Sequence, residues 1–246
     1  PVHSSGDWLR LQEEAERLRE TSPMIADATV DVVVSNCVLN LVRHDDRRAL
    51  FSEMYRVLVP GGRAVISDIV CDEDVPVHLQ AGPELWSGCM GGAFREDRFL
   101  DAFVEAGFYG VDIVARPAEP WAVIEGIEFR SVTVRAFADA ERPGLDLHQA
   151  VMYAGPWQAV VDDHGHRFER GRRVAVSDAA FERLTRAPFR DQVIAVPPHH
   201  AVSPERAEPF GSEPGTSRPV AVTKGTADRR TELPLGDCCG PDGCGP

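Results

Sequence analysis

No apolar run in the 246-residue chain approaches the roughly 18 residues that cross a bilayer. The first residues, PVHSSGDWLRLQEEAERLRE, have neither the basic start nor the apolar stretch of a secretion signal. The expected compartment is therefore the cytoplasm, with no membrane partner. Positive charge is also scarce: 26 Lys and Arg stand against 39 Asp and Glu, a formal net charge of −13. Such a surface repels phosphate backbones and anionic lipid, so no nucleic acid is expected as a partner. No internal repeat is visible. Cysteine is sparse and badly distributed for a disulfide framework. Cys37, Cys71 and Cys89 lie in the interior of the sequence, while Cys238, Cys239 and Cys244 crowd its last nine residues. In a reducing compartment these read as thiols for soft-metal or catalytic work rather than as cross-links.

What is present is a globular composition, 43% hydrophobic and 26% charged. Residues 7–20 place Trp8, Leu11, Ala15 and Leu18 on one helical face, and Pro23 follows. The run Val30, Val32, Val33, Val34 is β-branched and nearly continuous, the pattern of a strand buried on both faces of a parallel sheet. Asp45 is placed to cap a helix running to about Leu58, with Leu50, Phe51, Met54, Val57 and Leu58 inward. Pro60-Gly61-Gly62 reads as a tight turn, after which Ala64-Val65-Ile66 starts a second strand ending near Asp68. Residues 28–70 thus form a right-handed βαβ unit. A helix is expected from Arg95 to Ala106, closed by Gly107, then strands at Val111–Val114 and Phe129–Phe137.

Residues 147–197 change to short strands around turns, with a helix near Asp178–Leu184 and a strand at Gln192–Val196. From Pro197 on, Pro, Gly, Glu, Ser and Thr dominate, and disorder is expected.

The ordered set DATVDVVVSN, RVLVPGG and EAGF resembles the second half of a class I S-adenosylmethionine methyltransferase. Two further segments, SNCVLNL at 35–41 and ELWSGCMGGAF at 84–94, are similar to segments of the arsenite methyltransferase family. The module at 150–189 and the ending DCCGPDGCGP are also similar to that family, more loosely. The resemblance implies an α/β fold: the C-terminal half of a Rossmann-like sheet at 27–140, after a helical insertion remnant at 1–26. A small β-rich domain at 146–197 and a disordered, cysteine-ended tail at 198–246 follow. It further implies S-adenosyl-L-methionine as cofactor, arsenite or an arsenic-thiol conjugate as substrate, and a thiol reductant as partner. Cys37 and Cys89 would be the arsenic-binding thiolates, with Ser35 and Asn36 beside the cofactor. The family's GxGxG loop and ribose-binding acidic residue have no counterpart before Asp27, and are expected upstream of Pro1.

The chemistry suits sulfur. Trivalent arsenic is thiophilic; thiolates displace its hydroxyls and leave its lone pair exposed. That lone pair attacks the sulfonium methyl carbon in line, and S-adenosylhomocysteine departs. No strong general base is needed, so the protein's task is positioning. Topology agrees, because ligands of open α/β sheets sit at the carboxyl ends of strands. Glycines 88, 91 and 92 would let the backbone around Cys89 approach closely.

Each residue has a plainer reading. A lone cysteine after a strand is commonly a small core residue, and Cys71 reads as a spacer or a ligand. Cys238, Cys239 and Cys244 could bind a soft metal or be inert; their CC-x4-C spacing is not a zinc pattern. Asp68 either faces the site or caps a turn, and Trp86 either lines the cleft or closes the core. His164 and His166 flank Gly165 in a turn, and His199-His200 has no evident partner. Two other functions remain open at this point: a non-catalytic arsenic or soft-metal trap, and a class I methyltransferase with another small-molecule acceptor.

Overall fold

The computed structural model describes residues 4–139, 144–213 and 215–224. Helix α1 (Ser5–Thr21) is capped by Ser4, whose hydroxyl accepts the Asp7 N–H. Trp8, Leu11 and Leu18, the apolar stripe of this helix, remain largely exposed.

Strand β1 (Val30–Asn36), helix α2 (His44–Val57) and strand β2 (Leu58–Cys71) build the βαβ unit, and β1 runs parallel to β2. Three details differ from the sequence reading. β1 is not buried on both faces: its residues alternate in exposure, and Val34 is 71% exposed. Among the described residues β1 pairs with β2 alone, so it borders the sheet. The residue before α2 is Arg43, which makes no side-chain cap; Asp45 lies within the first turn, where its charge still favours the helix N-terminus. Pro60-Gly61-Gly62 is a bulge inside β2 rather than a turn before it. The register jumps from Val30↔Leu58 to Val32↔Arg63, and Gly61 takes a φ of +82° to make room.

The chain next forms α3 (Val77–Gln80), α4 (Pro83–Ser87), the short β3 (Phe94–Arg95), α5 (Glu96–Glu105), β4 (Tyr109–Ala115), β5 (Ala122–Ile124) and β6 (Ile127–Phe137). The six-stranded sheet has the path β1-β2-β6-β4, with β3 on β2 and β5 on β6. β6 is antiparallel to both β2 and β4. Gly107, with φ +95°, ends α5 as its sequence position foretold. The core of this unit lies between α2, α5 and the sheet. Phe51 meets Phe103 edge-on at 4.9 Å, and Phe99, Ile66, Val70 and Val134 close around them. Each such fully buried large side chain contributes roughly 1.5–3 kcal/mol.

The second unit comprises β7 (Ala150–Tyr153), β8 (Ala159–Val161), β9 (Arg167–Glu169), β10 (Arg173–Ala175), α6 (Asp178–Leu184) and β11 (Val193–Val196). Val151, Tyr153, Phe168, Val174 and Leu184 form its own core. It packs on the β4 side of the large sheet. The Asp163 carboxylate accepts the Gly110 N–H at 2.9 Å, Phe189 stacks on Tyr109, and Arg186 pairs with Asp139 at 3.0 Å.

Residues 198–213 and 215–224, expected to be disordered, instead lie along this unit and end in α7 (Val220–Lys224). Leu145 bridges Pro209, Val174 bridges Ser217, and Arg218 pairs with Asp146 at 2.7 Å. The polar composition of the segment concealed this, because what ties it down is ion pairing and backbone bonding rather than apolar burial. Cys238, Cys239 and Cys244 lie outside the described residues.

Candidate functional site

Two loops meet at the carboxyl end of β1. Cys37 follows the strand directly: its N–H still donates to the Ser67 carbonyl at 2.9 Å, but its φ has turned to +53°. Cys89 follows α4, where Met90 and Gly91 both donate back to the Leu85 carbonyl, and its own φ is +60°. The left-handed region costs an ordinary L-residue roughly 1–2 kcal/mol. Glycine would sit at both places more cheaply, so what the chain retains by placing cysteine there is the sulfur. The two converge. The Cys89 thiol lies 3.5 Å from the Cys37 carbonyl oxygen, to which it donates. Cys37 is exposed and Cys89 half-buried.

Beneath them sits a buried polar layer that the sequence did not reveal. Asp68, 1% exposed, accepts the Leu39 N–H at 2.9 Å and the Ile69 N–H at 2.8 Å. Asn40, also 1% exposed, donates from its carboxamide to Asp68 (2.8 Å), to the Ile69 carbonyl (2.6 Å) and to the Cys89 carbonyl (2.9 Å). Arg47 reaches from α2 to the Gly92 carbonyl at 2.6 Å and to the Val42 carbonyl, with its guanidinium over the Phe94 ring. The loop after β1 and the loop before β3 are thus fastened to the end of β2. The open question about Asp68 resolves toward a buried scaffold beneath the cysteines. Asn40 carried one available signal, a polar residue between Leu39 and Leu41 where the neighbours are apolar.

Burial, and then the nearby Asp68 carboxylate, push the Cys37 thiol up; for Cys89 the same two causes act, with Cys37 itself adding a third. Both therefore carry their protons at neutral pH. Burial also pushes Asp68 upward, while its backbone donors pull the other way. Cys71 does not join the pair. It is buried, donates to the Phe94 carbonyl at 3.2 Å, and burial lifts its pKa to about 12. It is a core residue.

Ser35 and Asn36 occupy the last turns of β1, opposite Ile66 and Ser67, with Ser35 half-buried and Asn36 exposed. Among the described residues no group of three or more His, Cys, Asp or Glu side chains is placed to hold a metal ion. His164 and His166 sit in the β8–β9 turn, organised by the Asp162 carboxylate, which accepts both backbone N–H groups and the His166 ring. No described helix is long and apolar enough to cross a membrane.

Residues 11–107 match a family described as a methyltransferase domain, and residues 140–228 match a domain family of unknown function. An arsenite methyltransferase from Halobacterium salinarum is 41% identical over 125 residues, covering 50% of this chain and 32% of that protein. One from Aquipseudomonas alcaligenes is 34% identical over 163 residues, covering 60% and 46%. The mouse arsenite methyltransferase is 29% identical over 198 residues, covering 76% and 51%. A crystal structure of an arsenic(III) S-adenosylmethionine methyltransferase from Chlamydomonas reinhardtii aligns with 25% identity and a TM-score of 0.47, covering 79% of this chain and 66% of that one. The chain spans between a third and about a half of the curated relatives named here. Residues 11–107 thus carry a methyltransferase-domain match, and the chain is similar over part of its length to several arsenite methyltransferases.

Proposed function

We propose that the protein this chain represents methylates trivalent arsenic held by Cys37 and Cys89, with S-adenosyl-L-methionine as methyl donor. One observation supports the arsenic site above all: two thiol-bearing residues from separate loops, both in strained left-handed backbone, meet at the ligand end of the sheet. Strain of this kind gathers at functional positions.

The residues' own chemistry follows from their protonation. Two protonated thiols and As(OH)3 condense to a dithiol-bound arsenic that keeps one hydroxyl, and two waters leave. The thiol protons depart with the displaced hydroxyls, so a raised thiol pKa is no obstacle. The bound arsenic keeps its lone pair, and the half-open placement of Cys37 beside half-buried Cys89 leaves one side of the metalloid toward the rim. Asp68 holds no position in this chemistry, because its oxygens are occupied by backbone and Asn40 donors.

Ser35 and Asn36 fit the polar end of the cofactor: a hydroxyl and a carboxamide at the same rim, two residues and one residue before Cys37. Bound there, S-adenosylmethionine supplies an electrophilic methyl group. The chain's part is to hold the arsenic lone pair facing it, a gain in effective concentration rather than in acid-base assistance. A thiol reductant would keep the pair reduced, and the biological role would be arsenic detoxification in the cytoplasm.

The test, with Cys238, Cys239 and Cys244 replaced by serine throughout, is titration with arsenite and with a trivalent arsenical offering two exchangeable positions, followed by intact mass. One arsenic should be held per chain, lost in both Cys37→Ser and Cys89→Ser and kept in Cys71→Ser. Undiminished binding in the Cys89 variant would sink the reading.

A further inference from the structure

Asn40 ties the loop of Cys37 to the loop of Cys89 and to the end of β2. It belongs to the loop of Cys37, three residues on. Its carboxamide nitrogen reaches one acceptor on the Asp68 side chain, one on the β2 backbone at Ile69, and one on the backbone of Cys89 itself. Its own carbonyl oxygen lies against Gly92, where a β-carbon would stand only 2.1 Å away. The two N–H bonds of the amide are shared among three acceptors, and the buried side-chain oxygen has no hydrogen-bond partner among the described residues. An unsatisfied buried oxygen costs roughly 1–3 kcal/mol. A leucine here would leave the Asp68 carboxylate and two backbone carbonyls without this donor, a larger loss, so the carboxamide is kept for the three acceptors it ties together.

We infer that Asn40 is the positioning residue that sets the spacing of the Cys37 and Cys89 sulfurs, and so makes them one two-point ligand. This rests on the proposed arsenic reading of the same pair. The reasoning is geometric. The Cys89 carbonyl is anchored to Asn40, and the Cys89 thiol is anchored to the Cys37 carbonyl. Without the first bond, the glycine-flanked loop of residues 88–92 is free to carry the sulfur away, while each thiol keeps its individual chemistry.

The experiment compares Asn40→Ala and Asn40→Ser with a core variant of the other unit, Leu184→Ala, chosen to lose a similar amount of thermal stability. Every protein compared carries Cys238, Cys239 and Cys244 replaced by serine, so that no dithiol of the chain's end competes, and two reagents are used on each: phenylarsine oxide, which needs two thiols at once, and iodoacetamide, which needs one. For both Asn40 variants, phenylarsine oxide affinity should fall by ~10-fold or more as the effective concentration of the second thiol is lost. Iodoacetamide should still label Cys37 and Cys89, and Leu184→Ala should keep wild-type arsenical affinity. Equal affinity in the wild type and both Asn40 variants would overturn the positioning role alone. Wild-type protein that binds phenylarsine oxide no better than Cys37→Ser would overturn the underlying arsenic reading as well. Should Asn40→Ala not fold, Asn40→Ser carries the comparison, because its hydroxyl can replace the bond to Asp68 but is too short to reach Cys89.

Discussion

Gly92 presses its α-carbon against the carbonyl oxygen of Asn40, leaving no space for a side chain: a β-carbon would stand 2.1 Å from that oxygen and 2.9 Å from the Arg47 guanidinium. Both obstacles are buried, and one is backbone. Gly92→Ala should therefore destabilise the protein by about 1–3 kcal/mol, the cost of overpacking a site that cannot yield. Chemical denaturation of the variant measures this. A loss below about 0.5 kcal/mol would mean that the two loops are not locked together as described.

The three described thiols should differ sharply in reactivity. Cys71 is buried with a pKa near 12, whereas Cys37 is exposed and Cys89 half-buried. Native alkylation followed by peptide mass analysis should modify Cys37 first, Cys89 next and Cys71 only on unfolding. Replacing Asp68 by Asn removes a negative charge that raises both Cys37 and Cys89, so their alkylation should speed up at a given pH. Slower alkylation of both in Asp68→Asn would contradict that assignment.

On the proposed arsenic reading, thiols whose pKa is raised by burial and by Asp68 capture neutral arsenite with almost no exchange of protons with solvent near pH 7. Calorimetric titration in two buffers of different ionisation enthalpy reads this directly. Equal heats are the expected result. An uptake of about two protons per arsenic would show instead that thiolates are the resting form, since each would release hydroxide rather than water.

Acid should loosen the segment that follows the small unit. Burial disfavours charge on Asp146, but its bonds from Arg218 and the His148 N–H prevail and hold its pKa below the ordinary carboxylate value. A depressed folded-state pKa contributes stability above the unfolded value, about 3.9, and that contribution fades as pH falls through the folded value. Hydrogen exchange at residues 215–218 should accelerate from pH 5 toward pH 3. In Asp146→Asn this acceleration should vanish, with fast exchange already at pH 5.

Much of this architecture can be read from the order of residues. The valine run before Ser35, the α2 stripe around Phe51 and Met54, and Gly107 after α5 each announce an element through periodicity or backbone preference. The PGG bulge cannot be read that way, because it depends on register against β1: five residues of β2 pass while β1 advances two. The exposure of Val34 is equally hidden, since a valine run does not state how many neighbours its strand has. At the site, Cys37 and Cys89 stood out through their surroundings in the sequence, yet the layer beneath them did not. Asn40, Arg47 and Asp68 are ordinary polar residues by composition, and only their convergence from the single helical turn at Leu39–Leu41, from α2 and from β2 buries them together. Hydrophobic patterning has no term for a polar side chain that is buried because it bonds the groups around it.

The left-handed backbone at Cys37 and Cys89 sets two selective pressures against each other. Glycine at either position would relieve the conformational penalty while deleting the sulfur. A library of variants sieved only for thermal endurance should drift toward glycine at 37 and 89. The same library grown under metalloid exposure should hold cysteine at both, and the divergence between the two populations would chart where endurance has been traded for chemistry.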